Sequence, residues 1–458
     1  MHTKDTRPDA AEHRSWSLLV LLGVAQFMVI LDVTIVNVAL PSIDAALGFA
    51  PGDLQWVVTA YVLFTGGLLL LGGRAADLLG RRRVFLTGLL VFTAASLSSG
   101  LAPSPGVLVA ARAAQGLGAA LLTPAALSIL TTTYTGAQRT VALSVWGAIG
   151  GAGSALGVVI GGMLTTWLSW EWVFVVNVPV GLVAAVVALR LLPADPAGVG
   201  ARRHFDLSGA VSVVAGLVVL VYALEGTSEH GWGSARTLVL LALAAGLLLT
   251  FATVERSAVR PLVPPATWRR RQLVSSGLVM LGATGILIGT FFLNSLYLQV
   301  ELGASALDTG LKFLPLAVAV GLAAHLASHL LSHAGTRVVT VAGLALMTGG
   351  ALLLAAAPDR AAYASELLPG FVLIGLGAGL VFPAVSVTAM SEVDEEQTGL
   401  ASGVMTTAHE VGAALGVAVL SAVAVGTADA TAAAGGFADG YGDGFLAAAA
   451  GAALMGLL

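Results

Sequence analysis

The sequence predicts an all-α membrane protein with 14 transmembrane helices, and three observations carry that reading. The chain has 458 residues, of which 57% are hydrophobic and 10% charged, where a soluble domain carries about 25% charged residues. Apolar runs recur along nearly the whole length, most of them in the range of roughly 17–25 residues that crosses a bilayer core. Its basic residues fall almost entirely on alternate loops, as the orientation rule for membrane proteins requires.

The runs fall at 16–40, 54–73, 84–101, 107–130, 141–164, 172–192, 206–224, 235–254, 272–298, 311–330, 338–356, 366–389, 400–425 and 445–458. The first follows Lys4, Arg7 and Arg14, as a signal peptide would. It is too long for a secretory core, contains Asp32 and lacks a small-x-small cleavage site, so it is read as a retained helix. The last run has only 14 residues, where about 20 are needed. It is expected to be an incomplete helix or the end of a shortened chain.

An even number of spans puts both termini on one side. Of 21 Lys and Arg, the loops on the N-terminal side hold 17, the opposite loops hold Arg236, Lys312 and Arg360, and Arg112 lies inside a span. Both termini are therefore expected in the cytoplasm. The acidic loop 392–396 lies on that side too, but acidic residues weigh little in this rule. There is no Cys, which excludes disulfides and thiolate chemistry.

The loop from Gly73 to Arg83, with Asp77, Gly80, Arg81 and Arg82, has a worn copy at 325–337, from His325 to Arg337. Each follows the second helix of a six-helix block. This repeat divides the chain into a six-helix bundle at 1–200, an inserted pair at 201–265 and a second bundle at 266–458. Repeated halves with a site at their interface are the architecture of alternating-access transporters.

Asp32 sits midway along the first run. A charge at mid-membrane costs at least about 2.5–3.5 kcal/mol on insertion scales, so an ionisable group there marks a functional site. Asp32 and Arg112 are the two charges deepest in the first half, and together they make a candidate proton site or a structural ion pair. On an ideal helix Gln26 and Asn37 share a face, while Asp32 lies roughly 140° from Asn37. Proton and substrate are thus expected at adjacent, not identical, places. In the thirteenth run Ser402, Thr406, His409 and Glu410 fall on one face, which makes Glu410 a second protonation site, an attractant for a cationic substrate or a helix contact. Gly153, Gly157 and Gly161 recur every four residues, a pattern that lets helices approach closely. Asp77 with Arg81, Arg82 and Arg83 suits an ion-paired latch near a helix end. Tyr61, Gln115, Asn177, Asn294 and Tyr297 are further polar or aromatic groups for an apolar pocket with few polar contacts. His325, His329 and His333 share a helix face but have no acidic or thiolate partner nearby in sequence, so no metal is assigned.

These residues resemble a known family. The run Leu31-Asp32-Val33-Thr34-Ile35-Val36-Asn37-Val38-Ala39-Leu40-Pro41, the loop Gly73–Arg83, Arg112-Ala113-Ala114-Gln115-Gly116 in the fourth helix, Trp170-Glu171-Trp172 with Asn177-Val178-Pro179 in the sixth, and Gly399-Leu400-Ala401-Ser402-Gly403 in the thirteenth together resemble the fourteen-span drug:proton antiporters of the major facilitator superfamily. The chain departs from that pattern at Gly157-Val158, where Gly-Pro is usual, at Glu171, where Arg is common, and at Ser328-His329, where an acidic residue is common.

The resemblance implies two major-facilitator bundles with two inserted helices in a bacterial cytoplasmic membrane, and a monomer that exchanges protons for a small amphipathic or lipophilic substrate. It implies proton coupling at Asp32, Arg112 and Glu410. It implies gating at Gly73, Asp77, Gly80, Arg81, Arg82, Arg83, Gly153, Gly157 and Gly161. It implies substrate contacts from Gln26, Asn37, Tyr61, Gln115, Asn177, Asn294, Tyr297 and Thr406, with no cofactor and no nucleic acid. The competing readings are an exporter of a siderophore or lipid precursor, a non-transporting membrane sensor and a membrane-embedded enzyme. No nucleophile elbow or zinc motif supports the last, and no phosphate-binding loop supports direct ATP drive.

Overall fold

The computed structural model describes residues 8–457, apart from 51–52, 135, 193–194, 196–206, 259–260, 262–266, 268, 359, 392–397 and 431–436. The described residues contain helices and connecting turns and no β-strand. In chain order the helices are α1 (Pro8–Leu47), α2 (Trp56–Leu79), α3 (Arg81–Gly100), α4 (Pro105–Thr133), α5 (Gly136–Trp167), α6 (Trp172–Leu191), α7 (Leu207–Glu225), α8 (Ala235–Ser257) and α9 (Arg271–Glu301). Then come α10 (306–334) and α11 (336–355), which are arms of one helical stretch, and α12 (Tyr363–Met390), α13 (Thr398–Ala430) and α14 (Phe437–Met455).

Local chemistry sets the breaks. Gly80 takes φ 103° between α2 and α3, a left-handed backbone that a Cβ disfavours. Gly335 does the same between α10 and α11, at φ 77°. Pro105 opens α4 at a position where its missing N–H costs nothing. Ser234 and Ser305 cap α8 and α10 by accepting the backbone N–H of Thr237 and Asp308, each at 3.1 Å.

Eleven helices among the described residues are long and apolar enough to cross a membrane: α1–α4, α6 and α8–α13. The expected spans at 141–164, 206–224 and 445–458 fall on α5, α7 and α14, which do not meet that measure. α5 holds the shorter apolar stretch Leu156–Trp167 and α7 holds Ser208–Leu224. The last helix starts at Phe437, eight residues before the expected run at 445, and so brings Tyr441 into the core. Asp439 and Asp443 interrupt the hydropathy there and hide that first turn.

Packing repeats along the chain. α1 lies along α5 and α2 along α4; likewise α9 lies along α13 and α10 along α12. The two sets meet where α2 touches α13, where α5 touches α10 and where α1 touches α9. Small residues make the close crossings. A Cβ on Gly375 would strike the Leu316 and Ala319 region of α10, and one on Gly285 would stand 2.9 Å from the Gly412 carbonyl of α13.

α7 and α8 pair with each other, and α7 rests on α2 and α13. α8 contains a stretch of mean hydropathy 2.4, yet only 11% of that stretch is buried. A helix apolar on every side and so little covered by protein is covered by lipid.

Candidate functional site

Asp32 lies fully buried inside the first set of helices and collects donors from two neighbours in sequence-distant helices and one cation. Arg112 of α4 forms the ion pair through Nη1 to Oδ2. Gln115, one turn further along α4, donates to Oδ1 at 2.7 Å. Asn177 of α6 donates to the same oxygen at 3.1 Å. Ser96 of α3 accepts from both amides, at 3.2 and 3.1 Å, and donates to the Phe174 carbonyl at 2.9 Å.

Arg112 is held on every side. Its Nε donates to the Val57 carbonyl and its Nη1 to Gln115 Oε1, both at 2.8 Å. The guanidinium stands 4.4 Å from the Tyr61 ring centre and 5.6 Å from that of Phe174. A buried ion pair survives only when its remaining donors and lone pairs are met in this way. Five helices build the site, so neither charge moves without disturbing the bundle.

The structure brings Tyr61, Gln115 and Asn177 of the expected substrate contacts to Asp32. Ser96, Val57 and Phe174 also belong there, and sequence reasoning missed them. Ser96 sits among several small hydroxyl residues with nothing to single it out, and Val57 contributes only a carbonyl.

Gln26 and Asn37 lie elsewhere on α1. Asn37 Nδ2 donates to the Val33 carbonyl at 2.8 Å. Gln26 Oε1 and Asn37 Oδ1 are buried acceptors with no hydrogen-bond donor among the described residues. Asn37 is thus bonded within α1 and not to the Asp32 group.

Asn294 and Tyr297 make a different group in the second set of helices. Asn294 accepts from the Tyr441 hydroxyl at 2.8 Å and donates to the Thr290 carbonyl at 2.9 Å. The Tyr297 hydroxyl donates to the Pro358 carbonyl at 2.6 Å and accepts from the Ala361 N–H at 3.1 Å. Its ring stacks on Tyr441 at 4.4 Å. These side chains pin α9 to α14 and to the α11–α12 turn.

Glu410 of α13 stands against Gly66 of α2, where any side chain at 66 would collide with it. His409 Nδ1 lies 3.5 Å from its Oε1. Thr406 spends its hydroxyl on the Ser402 carbonyl at 2.9 Å.

At the loop between α2 and α3, the carboxylate that meets the arginines among the described residues is that of Asp195. It accepts the backbone N–H of Arg82 and of Arg83, each at 3.1 Å, and sits beside Gly80. Arg82 Nη2 donates to the Leu189 carbonyl at 2.8 Å. The expected latch residue Asp77 has a side chain outside the described residues. Gly73 faces Pro124 of α4. Arg81 is half-buried at the start of α3. Gly153, Gly157 and Gly161 face α1, against Ile30, Thr34 and Ile35, and Gly162 faces α10 at Ala306 and Leu307. His325 and His329 touch edge to face at 5.6 Å on an exposed surface, and no metal-binding group of three such side chains occurs among the described residues.

Solved structures share this fold. A nucleoside transporter superposes with a TM-score of 0.67 over 96% of this chain and 98% of that one, at 12% identity. A peptide transporter in complex with sulfate matches equally well over 96% of this chain and 93% of its own, at 16% identity. The likeness is one of fold. Residues 22–417 match the model of the Major Facilitator Superfamily, and the chain belongs to that superfamily. Among its relatives are the puromycin resistance protein of Streptomyces alboniger, 43% identical over 89% of this chain and 81% of that protein, and the cephamycin export protein of Amycolatopsis lactamdurans, 42% identical over 88% and 83%. The lincomycin resistance protein of Streptomyces lincolnensis is 37% identical over 90% and 85%.

Proposed function

We propose that this chain is a proton-driven antiporter that exports antibiotic or drug-like molecules by alternating access. The observation that carries the reading is the fully buried Asp32, ion-paired to Arg112 and ringed by Gln115, Asn177 and Ser96. A bare structural role is a poor account of a charge pair that membrane insertion penalises. Proton uptake by Asp32 cancels the ion pair and frees Arg112, and proton loss restores both. That exchange gives the bundle two arrangements of the same five helices.

The substrate meets the α1 face of Gln26 and Asn37, whose buried acceptors await a donor, and Thr406 and Glu410 complete the site from α13. The Asp195 carboxylate on Arg82 and Arg83 ties the α2–α3 loop on the cytoplasmic side. In this reading α5, α7 and α14 also cross the bilayer, which makes fourteen spans with both termini in the cytoplasm. The chain then divides into bundles at 1–200 and 266–458, with the pair at 201–265 between them.

The test is proton-gradient-driven uptake of puromycin, lincomycin and a fluorescent lipophilic cation into inside-out vesicles. Per amount of folded protein, wild type is expected to accumulate at least one of them and Asp32→Asn none. Equal accumulation by both would remove Asp32 from coupling.

A further inference from the structure

Pro41 lies inside α1. A proline has no N–H for the carbonyl four residues earlier, and here that carbonyl is Asn37's. The partner it receives comes from the other half of the molecule. Ser295 Oγ of α9 donates to the Asn37 carbonyl at 2.5 Å, and both residues are buried. One turn on, Gln299 Nε2 donates to the adjacent Val38 carbonyl at 3.0 Å and to Ser295 Oγ at 3.1 Å.

Residues 295 and 299 lie on one face of α9. The stretch Tyr297–Glu301 is wound as a π-helical turn, an irregularity that concentrates at functional sites. Tyr297, between them, is bonded to Pro358 and Ala361 of its own half. The end of α9 is therefore fixed to the second half by Tyr297 and reaches the first half through Ser295 and Gln299.

A second contact lies at the same end of the molecule. The Leu307 N–H of α10 donates to Thr166 Oγ1 of α5 at 3.1 Å. Gly162 and Gly310 let the two backbones touch there, the first at Ala306 and the second at Val158.

We propose that Ser295 and Gln299 are gate residues, closing the end of the transporter away from its N-terminus by clamping α1 at the Asn37 carbonyl, which Pro41 leaves without its helical donor, and at the adjacent Val38 carbonyl. The proposal rests on the alternating-access reading above. The clamp takes hold of backbone, so it is indifferent to substrate. It breaks without leaving a buried charge, which suits a contact that opens once per cycle.

The chain has no cysteine, so Val158→Cys supplies a single thiol. Val158 is buried at the α5–α10 contact and outside the clamp. Labelling of that thiol by a membrane-impermeant maleimide is measured in vesicles of both orientations. Ser295→Ala, Gln299→Ala and Pro41→Ala are each expected to raise labelling several-fold from the face away from the N-terminus. Ser295→Thr keeps the hydroxyl and is expected to label at the parent rate. Pro41→Ala supplies the N–H that competes with Ser295, so the Pro41→Ala/Ser295→Ala pair is expected to label no faster than either alone. Unchanged labelling in the folded alanine variants would overturn the clamp, as would a Ser295→Thr rate equal to that of Ser295→Ala. Drug transport assayed in the same vesicles tests antiport separately, because the labelling rate needs no substrate.

Discussion

Asn177 of α6 reaches Asp32 of α1 across 145 residues of sequence and shares the Oδ1 atom with Gln115. Three donor groups thus converge on one buried carboxylate, with Ser96 aligning the two amides. Hydrogen bonds to a charged group contribute about 1.5–3 kcal/mol each. Asn177→Leu is therefore expected to lower thermal stability by an amount in that range and to reduce proton-driven transport several-fold. Thermal unfolding in detergent and vesicle uptake check the two effects. Unaltered uptake would mean that Gln115 and Arg112 suffice.

Arg112 offers a test of the pair as a pair. Removing one member of a buried ion pair costs about 3–5 kcal/mol, because the other is left uncompensated. Arg112→Ala is expected to abolish folded yield, and Asp32→Asn in the same chain is expected to recover much of it. Arg112→Lys is not expected to substitute, since the guanidinium fork holds Val57, Gln115 and Asp32 at once. Folded yield by size-exclusion chromatography decides both points, and a stable Arg112→Ala protein would count against the ion pair.

The crossing of α1 and α5 rests on Gly157. A Cβ there would press directly on Thr34 Oγ1. Overpacking of this kind costs roughly 1–3 kcal/mol. Gly157→Ala is expected to destabilise the protein and Thr34→Ala to relieve that loss when combined with it. A double-mutant cycle on melting temperature measures the relief. Additive losses would place the strain elsewhere, for instance at the Leu31 carbonyl 3.2 Å away.

Asp195 behaves as a cap donated from a distant loop. An N-terminal cap contributes about 0.5–2 kcal/mol, and this one accepts two backbone N–H groups of α3. Asp195→Ala is expected to slow transport and loosen the α2–α3 loop, with Asp195→Asn intermediate. Hydrogen exchange at residues 80–84 reads the loosening directly. Unchanged exchange in Asp195→Ala would refute the cap.

Much of this was legible in the chain. Length and hydropathy gave the helical membrane class, and the cost of burying Asp32 and Arg112 singled out two charges that the structure finds buried and paired. Helical periodicity also separated Asp32 from Asn37. What the sequence hid were contacts whose signal lies in the partner. Asp195 stands in a loop with no pattern, and its value comes from two backbone N–H groups. Ser96 is one hydroxyl among many. Ser295 matters only because Pro41 frees a carbonyl in another helix. Asn294 and Tyr297 read as pocket residues because polarity in a span shows neither which way a side chain turns nor whether Tyr441 already occupies it. The short run at the end misled because Asp439 and Asp443 break the hydropathy of α14.

The placement of α7 and α8 makes the molecule lopsided toward its solvent. Of the three contacts between the two sets of helices, one seam runs along α2 and α13 and another along α5 and α10. α7 rests on the first and α8 packs on α7, so lipid tails meet that seam only through an intervening wall of helix. The second seam has no such screen among the described residues. A greasy molecule dissolved in the bilayer thus approaches two flanks that are not equivalent: one presents a partition and the other the junction itself.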